Sequence, residues 1–184
     1  MSVHSIRKLE PVLKVHAIGN LFNGKLHTNA SMALQYALAA GLEQVLQEPG
    51  EECLRGSLER RLLDFSESGG LIVYVKDGYE VVGVTTIGRC SGLWSESFMV
   101  EDLRVAKRIT VMSDRVYEAL LNGILDVARL TSETRGGPVL IHVGAATSER
   151  RLLRRTFKQH GFREESDAPD MWLARVSSRE QAAA

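Results

Sequence analysis

The spacing of apolar residues differs between the two parts of the chain. In the first seventy residues they recur every three to four positions, which is the period of an amphipathic helix. One such segment lies between Pro11 and Gly19, a second starts near Ser31, and a third ends at Phe65. We therefore predict that residues 1–70 are mainly helical.

Beyond that point, short runs rich in β-branched residues replace the helical spacing. Residues 71–75 and 79–87 flank Asp77-Gly78, a dipeptide typical of tight hairpins. A third strand is predicted at residues 97–105, after a turn at residues 88–92. The pattern thus indicates a three-stranded meander.

The C-terminal part alternates between helices and strands. Ser113 is placed to cap a long helix, a short strand follows at residues 139–143, and a second helix ends at Gly161. Residues 162–176 are predicted to form a closing hairpin. This order of elements predicts an α/β fold in which helices flank a mixed, mostly antiparallel sheet.

The length of 184 residues fits a single domain. We place it at residues 1–176, of which residues 71–176 hold the core sheet and its helices. The polar and small residues at positions 177–184 predict a flexible tail.

Charge and cysteine content exclude several classes of function. The 23 basic and 23 acidic residues cancel, which speaks against a strongly basic nucleic-acid-binding protein. Two cysteines and five scattered histidines show no metal-ligand spacing, so no metal site is predicted. No apolar stretch is long enough to span a bilayer, and the N-terminus lacks the apolar part of a secretory signal. We therefore expect a cytoplasmic protein without membrane contact.

Three strings resemble the GCN5-related N-acetyltransferase (GNAT) superfamily in their order and spacing. Residues 74–83 look like its second and third strands, and residues 100–105 are similar to its fourth strand. Residues 139–143 and 148–162 resemble its fifth strand and the helix that ends in a Gly-Phe pair. The resemblance implies the GNAT fold and an N-acyltransferase, in this family usually an N-acetyltransferase, that uses acetyl-coenzyme A (acetyl-CoA).

The resemblance also implies where the coenzyme binds. In this family acyl-CoA lies where the fourth and fifth strands separate, and its pyrophosphate binds to the free amides at the start of the following helix. The corresponding loop usually contains glycines, but here it contains none and has cations instead. The implied coenzyme-binding residues are Val105, Lys107, Arg108, Ser113, Arg115 and Arg150.

Two neighbouring carboxylates are candidates for the general base that deprotonates the amine. Glu101 matches the position from which some relatives use a carboxylate, directly or through water. Because a strand alternates its faces, Glu101 and Asp102 are predicted on opposite sides, and either of them is a candidate. The structural alternative is that both carboxylates pair with neighbouring arginine or lysine residues.

The proton donor for the leaving thiolate is less well marked. Many relatives carry a tyrosine four residues before the Gly-Phe pair, where this chain has Phe157. Tyr117 is therefore the candidate catalytic acid, with His160 as the other residue considered.

Three functions stay open on this sequence. The first is an N-acyltransferase acting on a small-molecule or protein amine. The second is a GNAT-like domain that has lost its coenzyme site and serves as an assembly module, with a protein partner or as a homodimer. The third is a relative that modifies a nucleic acid through the basic helix near residues 150–158, which the zero net charge and the lack of interleaved aromatic residues do not favour.

Overall fold

A computed structural model describes residues 12–19, 30–46, 55–91, 96–106, 113–144, 150–166 and 168–177. Seven strands form one sheet: β1 Leu13–Ile18, β2 Leu71–Asp77, β3 Glu80–Ser91, β4 Glu96–Val105, β5 Val139–Gly144, β6 Arg163–Glu165 and β7 Ala168–Val176. Five helices are described: α1 Ala30–Ala39, α2 Leu42–Leu46, α3 Arg55–Glu67, α4 Ser113–Arg135 and α5 Arg150–Gln159.

The strand order in the sheet is β1-β2-β3-β4-β5-β7-β6. All neighbouring strands pair in antiparallel fashion except β4 and β5, which are parallel. A parallel pair needs a long crossover connection, and here that connection contains α4. The mixed, mostly antiparallel sheet flanked by helices confirms the predicted fold class.

Helices cover both faces of the sheet, which gives two hydrophobic cores. On one face, α4 buries a stripe at helical spacing that includes Val116, Leu120 and Ile124, and Phe157 of α5 belongs to the same core. On the other face, α1, α2 and α3 pack on residues such as Ile72, and we call this the α1–α3 face.

The helix predicted between Pro11 and Gly19 is wrong, because residues 13–18 form strand β1. All six residues pair with β2, from Leu13 opposite Asp77 to Ile18 opposite Ile72. A short apolar run does not by itself distinguish helix from strand, and here the pairing with the neighbouring strand decides.

Two further boundaries differ from the sequence prediction. The second predicted helix is divided into α1 and α2 at Gly41, whose φ of 94° is a left-handed conformation that glycine adopts without strain. The turn predicted at residues 88–92 is wrong for residues 88–91. These residues continue β3, which pairs with β4 as far as the pair Ser91–Glu96. The third predicted helix is confirmed as α3.

The remaining predicted helices and strands are present among the described residues, whereas the tail predicted at residues 177–184 lies outside them after residue 177. Helix α4 begins at Ser113, and the helix before Gly161 is α5, which begins at Arg150. Gly161 has a φ of 81°, as expected for a helix-terminating glycine. Strands β6 and β7 form the closing hairpin. Of the described helices, none is both long and apolar enough to cross a membrane.

Candidate active site

The centre of β4 contains a bulge. In the ladder between β3 and β4, Thr86 lies opposite Asp102 and the next residue, Ile87, lies opposite Val100. Glu101 is therefore an extra residue of β4 with no partner position on β3. A bulge of this kind locally redirects the side chains of a strand and is common beside active sites.

The bulge changes which face the two carboxylates occupy. Ile87 and Val100 belong to the core under α4, so the next residue of β3, Gly88, faces the α1–α3 side. A Cβ atom on Gly88 would lie 2.7 Å from Oε1 of Glu101, which places the Glu101 carboxylate on this side as well.

Asp102 lies on the same side, because its partner Thr86 alternates with Ile87 along β3 and donates a hydrogen bond to the Asp102 carboxylate. The prediction that Glu101 and Asp102 lie on opposite faces is therefore wrong. Simple alternation fails here because the bulge inserts one residue into the strand.

The described pairing between β4 and β5 ends at the same level. The ladder between these two strands ends at the pair Val100–Val143, whereas β4 continues to Val105. Within the described residues, the backbone of β4 from Glu101 onward thus has no pairing with β5. Backbone N–H and C=O groups in such a position can bind an extended ligand that carries amides of its own.

Asp102 is held by neighbouring residues. Arg104 donates a hydrogen bond from Nε to Oδ1 of Asp102 at 2.9 Å, and its Nη2 lies 2.8 Å from the same oxygen. Thr86 donates its hydroxyl to Oδ2 of Asp102 at 3.2 Å. The same guanidinium donates from Nη1 to the backbone carbonyl of Leu46 at 2.7 Å. The pair of Asp102 and Arg104 therefore ties the last residue of α2 to β4.

Glu101 differs from its neighbour in both exposure and partners. Its side chain is exposed, and no hydrogen bond or ion pair to another described residue is present. Of the two candidate carboxylates, Glu101 is thus the one available to a substrate.

Asp102→Asn is expected to lower stability by only ~1 kcal/mol, because both partners of the pair are about one-third exposed. Arg104 can keep its bond to the Leu46 carbonyl, so α2 should stay in place. Urea unfolding of the two proteins measures the difference. A loss of several kcal/mol would show that the pair of Asp102 and Arg104 has a larger structural role.

Comparisons with known proteins address the fold. No protein-family profile and no curated protein matches the chain. Among solved structures, a mutant of the AtaT toxin bound to the C-terminus of the antitoxin AtaR has a TM-score of 0.55, covering 90% of this chain and 92% of that one at 14% identity. A probable acetyltransferase has a TM-score of 0.52 at 13% identity, and the match covers 84% of this chain and 92% of that one. An acetyltransferase from Trypanosoma brucei has a TM-score of 0.52 at 14% identity, and the match covers 84% of this chain and 95% of that one. The chain has the GNAT acetyltransferase fold.

The coenzyme site that the sequence resemblance implies includes the start of α4. Ser113 is the first residue of this helix and its hydroxyl lies 3.4 Å from Oδ1 of Asp114. Arg115, the third residue of α4, is exposed. Val105 at the end of β4 is half-buried against the core under α4. Lys107 and Arg108 lie outside the described residues. Arg150 is the first residue of α5, and its side chain also lies outside the described part.

Phe157 is the residue that the sequence resemblance aligns with a tyrosine of many GNAT proteins. It is fully buried, and its ring lies 5.5 Å from that of Phe162 and 5.3 Å from that of Trp172, centre to centre. Phe157 is therefore part of the hydrophobic core and anchors α5 to β7.

The other two candidate acids lie in different surroundings. Tyr117 is only 2% exposed and packs in the core between α4 and the sheet, so little of its side chain can reach a ligand. His160 is half-buried, and Nδ1 lies 2.9 Å from the carbonyl oxygen of Thr156. The structure does not bring either residue next to Glu101 through any described contact, and the role of Tyr117 stays a prediction.

The basic helix is partly neutralised. Arg154 forms an ion pair with Glu164 at 3.2 Å, while Arg155 and Lys158 are exposed. In the part of the chain that the structure describes, no group of three or more His, Cys, Asp or Glu residues is arranged to hold a metal ion.

The bulge and the glycine beside it were not predicted from the sequence. The bulge is a property of the register between β3 and β4, which no single strand reveals. Gly88 was the available signal, since a glycine inside a strand often marks a bulge or a close approach. Because the sequence predicts a turn at residues 88–92, Gly88 is interpreted as a turn residue and not as a glycine inside a strand.

Proposed function

We propose that the protein is an acyl-CoA-dependent N-acyltransferase, most simply an N-acetyltransferase, with Glu101 as the general base. The observation that carries this proposal is the position of Glu101. It is the first residue of β4 beyond the described pairing with β5, and it is a carboxylate with no described partner. A backbone edge without described pairing and an available base are thus adjacent.

The described residues fit acyl-CoA as the second substrate. From Glu101 to Val105, β4 has no pairing with the described residues of β5, and this edge can offer backbone donors and acceptors to the amides of the pantetheine arm. Ser113 begins a helix of 23 residues, whose free N–H groups favour a pyrophosphate, and Arg115 adds a cation there. Asp114 opposes an anion at this point, and Lys107, Arg108 and Arg150 supply further positive charge for the pyrophosphate.

Bound acyl-CoA supplies an acyl group on a thioester, which is transferred when a C–N bond forms to the amine and the C–S bond breaks. Glu101 accepts the proton that the amine loses, and it is exposed on the α1–α3 face, where an amine can approach from solvent. Arg104 binds both Asp102 and the carbonyl of Leu46, and it thereby holds the end of α2 beside this face. Phe157 has no proton to give and Tyr117 is buried in the core, so water protonates the departing thiolate.

The acceptor is proposed to be an amine of a small molecule or of a protein, in the cytoplasm. A protein partner or a homodimer is part of the proposal, and the similar fold of AtaT, which is bound there to an antitoxin segment, supports that possibility at the level of fold. A GNAT-like module without coenzyme binding is the competing function, since the loop before α4 contains no glycine.

Product analysis tests the proposed function. The purified protein is incubated with acetyl-CoA and three amine probes, namely spermidine, a lysine-containing peptide and an amino sugar, and mass spectrometry follows free CoA and acetylated amine. We expect amine-dependent release of CoA with an equal amount of acetylated product. Coenzyme binding without any acetylation would contradict catalysis, and no binding at all would favour the assembly module.

A further inference from the structure

We propose that Gly88 is a positioning residue for Glu101: its missing side chain leaves the notch in which the Glu101 carboxylate lies. This inference rests on the proposed function, since it assigns Gly88 a role in acyl transfer through the general base. It concerns a residue on β3, the strand beside the one that carries the base.

The contact is close and specific. A Cβ atom on Gly88 would lie 2.7 Å from Oε1 and 3.6 Å from Cδ of Glu101, and 3.8 Å from the carbonyl oxygen of Met99. The first distance is shorter than any normal contact of a Cβ atom. Any residue other than glycine at position 88 therefore requires the carboxylate to move.

The backbone does not explain why a glycine is present here. Gly88 has no left-handed φ, in contrast to Gly41, and it lies inside the ladder opposite Met99. In such a strand position, glycine is less favourable than a residue with a side chain. What the glycine provides is space, and the group that uses this space is the Glu101 carboxylate.

Gly83 on the same strand offers a comparison. A Cβ atom there would overlap Cγ1 of Val116 and lie 3.1 Å from Cδ1 of Leu120, so this glycine allows close packing of α4 on the sheet. Gly88 provides the same kind of space on the other face, but for a polar side chain at the surface. Gly83 makes room for the hydrophobic core, and Gly88 makes room for the Glu101 carboxylate.

The notch leaves room for one position of the base that a side chain at residue 88 would block. Glu101 is a bulge residue with an exposed, flexible side chain and no described partner to fix its carboxylate. The carboxylate lies over Gly88, across β3 on the α1–α3 face, and a side chain at position 88 would displace it from there. A base must lie within hydrogen-bond reach of the proton it accepts, and a misplacement of ~1 Å can lower a rate by about 10²-fold.

The test compares Gly88→Ala with the wild-type protein and with Cys90→Ala as the matched control. Cys90 lies on the same strand two residues away and is exposed. With acetyl-CoA and spermidine as probes, or whichever of the three amines is acetylated, we expect Gly88→Ala to lower kcat by about 10- to 100-fold with little change in the KM for acetyl-CoA. Cys90→Ala should stay within about twofold of the wild type.

A second background shows whether the effect passes through Glu101. In a Glu101→Gln protein, adding Gly88→Ala should lower kcat no further, because the base is already absent. Melting temperatures give a readout that does not need turnover. Gly88→Ala should be better tolerated when Glu101 is also replaced by Ala, since the carboxylate then no longer competes for the space.

The outcomes separate the two proposals. If the wild type acetylates an amine and Gly88→Ala retains full kcat, the inference about Gly88 is overturned and the proposed function stands. If Gly88→Ala lowers kcat by the same factor in the wild type and in the Glu101→Gln protein, the effect does not pass through Glu101 and the inference is again overturned. If the wild type acetylates none of the probes, the proposed function fails and the role of Gly88 in it fails too.

Discussion

Glu101→Gln is expected to lower the turnover of acyl transfer by about 10²-fold or more while the affinity for acetyl-CoA stays the same. The amide has nearly the size of the carboxylate but cannot accept the proton of the amine at neutral pH. Because Glu101 is exposed and has no described partner, the exchange removes no structural contact. Steady-state rates with the amine that the wild type acetylates, together with calorimetric binding of acetyl-CoA, measure both quantities.

The matched control for this experiment is Asp102→Asn. It changes the neighbouring carboxylate on the same face in the same way, but Asp102 is engaged by Arg104 and Thr86. We expect the control to keep most of its turnover and to lose a little stability. If Glu101→Gln kept full turnover, or if the control alone lost it, the assignment of the base to Glu101 would be wrong.

Phe157→Ala is expected to reduce the free energy of unfolding by ~3–5 kcal/mol. The ring is fully buried between the rings of Phe162 and Trp172, so its removal leaves a cavity and two aromatic contacts are lost. For a domain of this length, each kcal/mol lowers the melting temperature by about 2–4 °C. Urea unfolding and calorimetry measure the two quantities.

Lys158→Ala is the control for Phe157→Ala, since Lys158 is the next residue of α5 and is exposed. It should change the free energy of unfolding by less than ~0.5 kcal/mol. A similarly small effect of Phe157→Ala would mean that α5 is not anchored through this ring. The position would then be free for a different role from the one that its burial indicates.

The sequence predicts the fold best where local signals and tertiary pairing agree. The Asp77-Gly78 turn marks the hairpin of β2 and β3, and the apolar stripe of α4 leaves little choice of element. Strand β1 is different, because its short apolar run is compatible with either helix or strand. Its state is set by six pairs with β2, a partner that lies more than fifty residues further along the chain.

The candidate site is only partly visible in the sequence. The family resemblance identifies Glu101 and Asp102 as candidate bases, but the sequence does not show which carboxylate lacks a hydrogen-bond or ion-pair partner. That depends on Arg104, which binds Asp102 and the end of α2, and on a bulge that brings both carboxylates to one face. The notch at Gly88 likewise exists only when β3 and β4 are in this register.

Calorimetric titration of the protein with acetyl-CoA, paired with its melting temperature in the same ligand, tests the central claim most directly. If acyl-CoA binds where the described pairing between β4 and β5 ends, ligand at about 100 times its dissociation constant should add ~2.7 kcal/mol to the free energy of unfolding. We expect saturable heat and a rise in melting temperature that increases with the ligand concentration. No heat and an unchanged melting temperature up to millimolar acetyl-CoA would contradict the proposed acyltransferase.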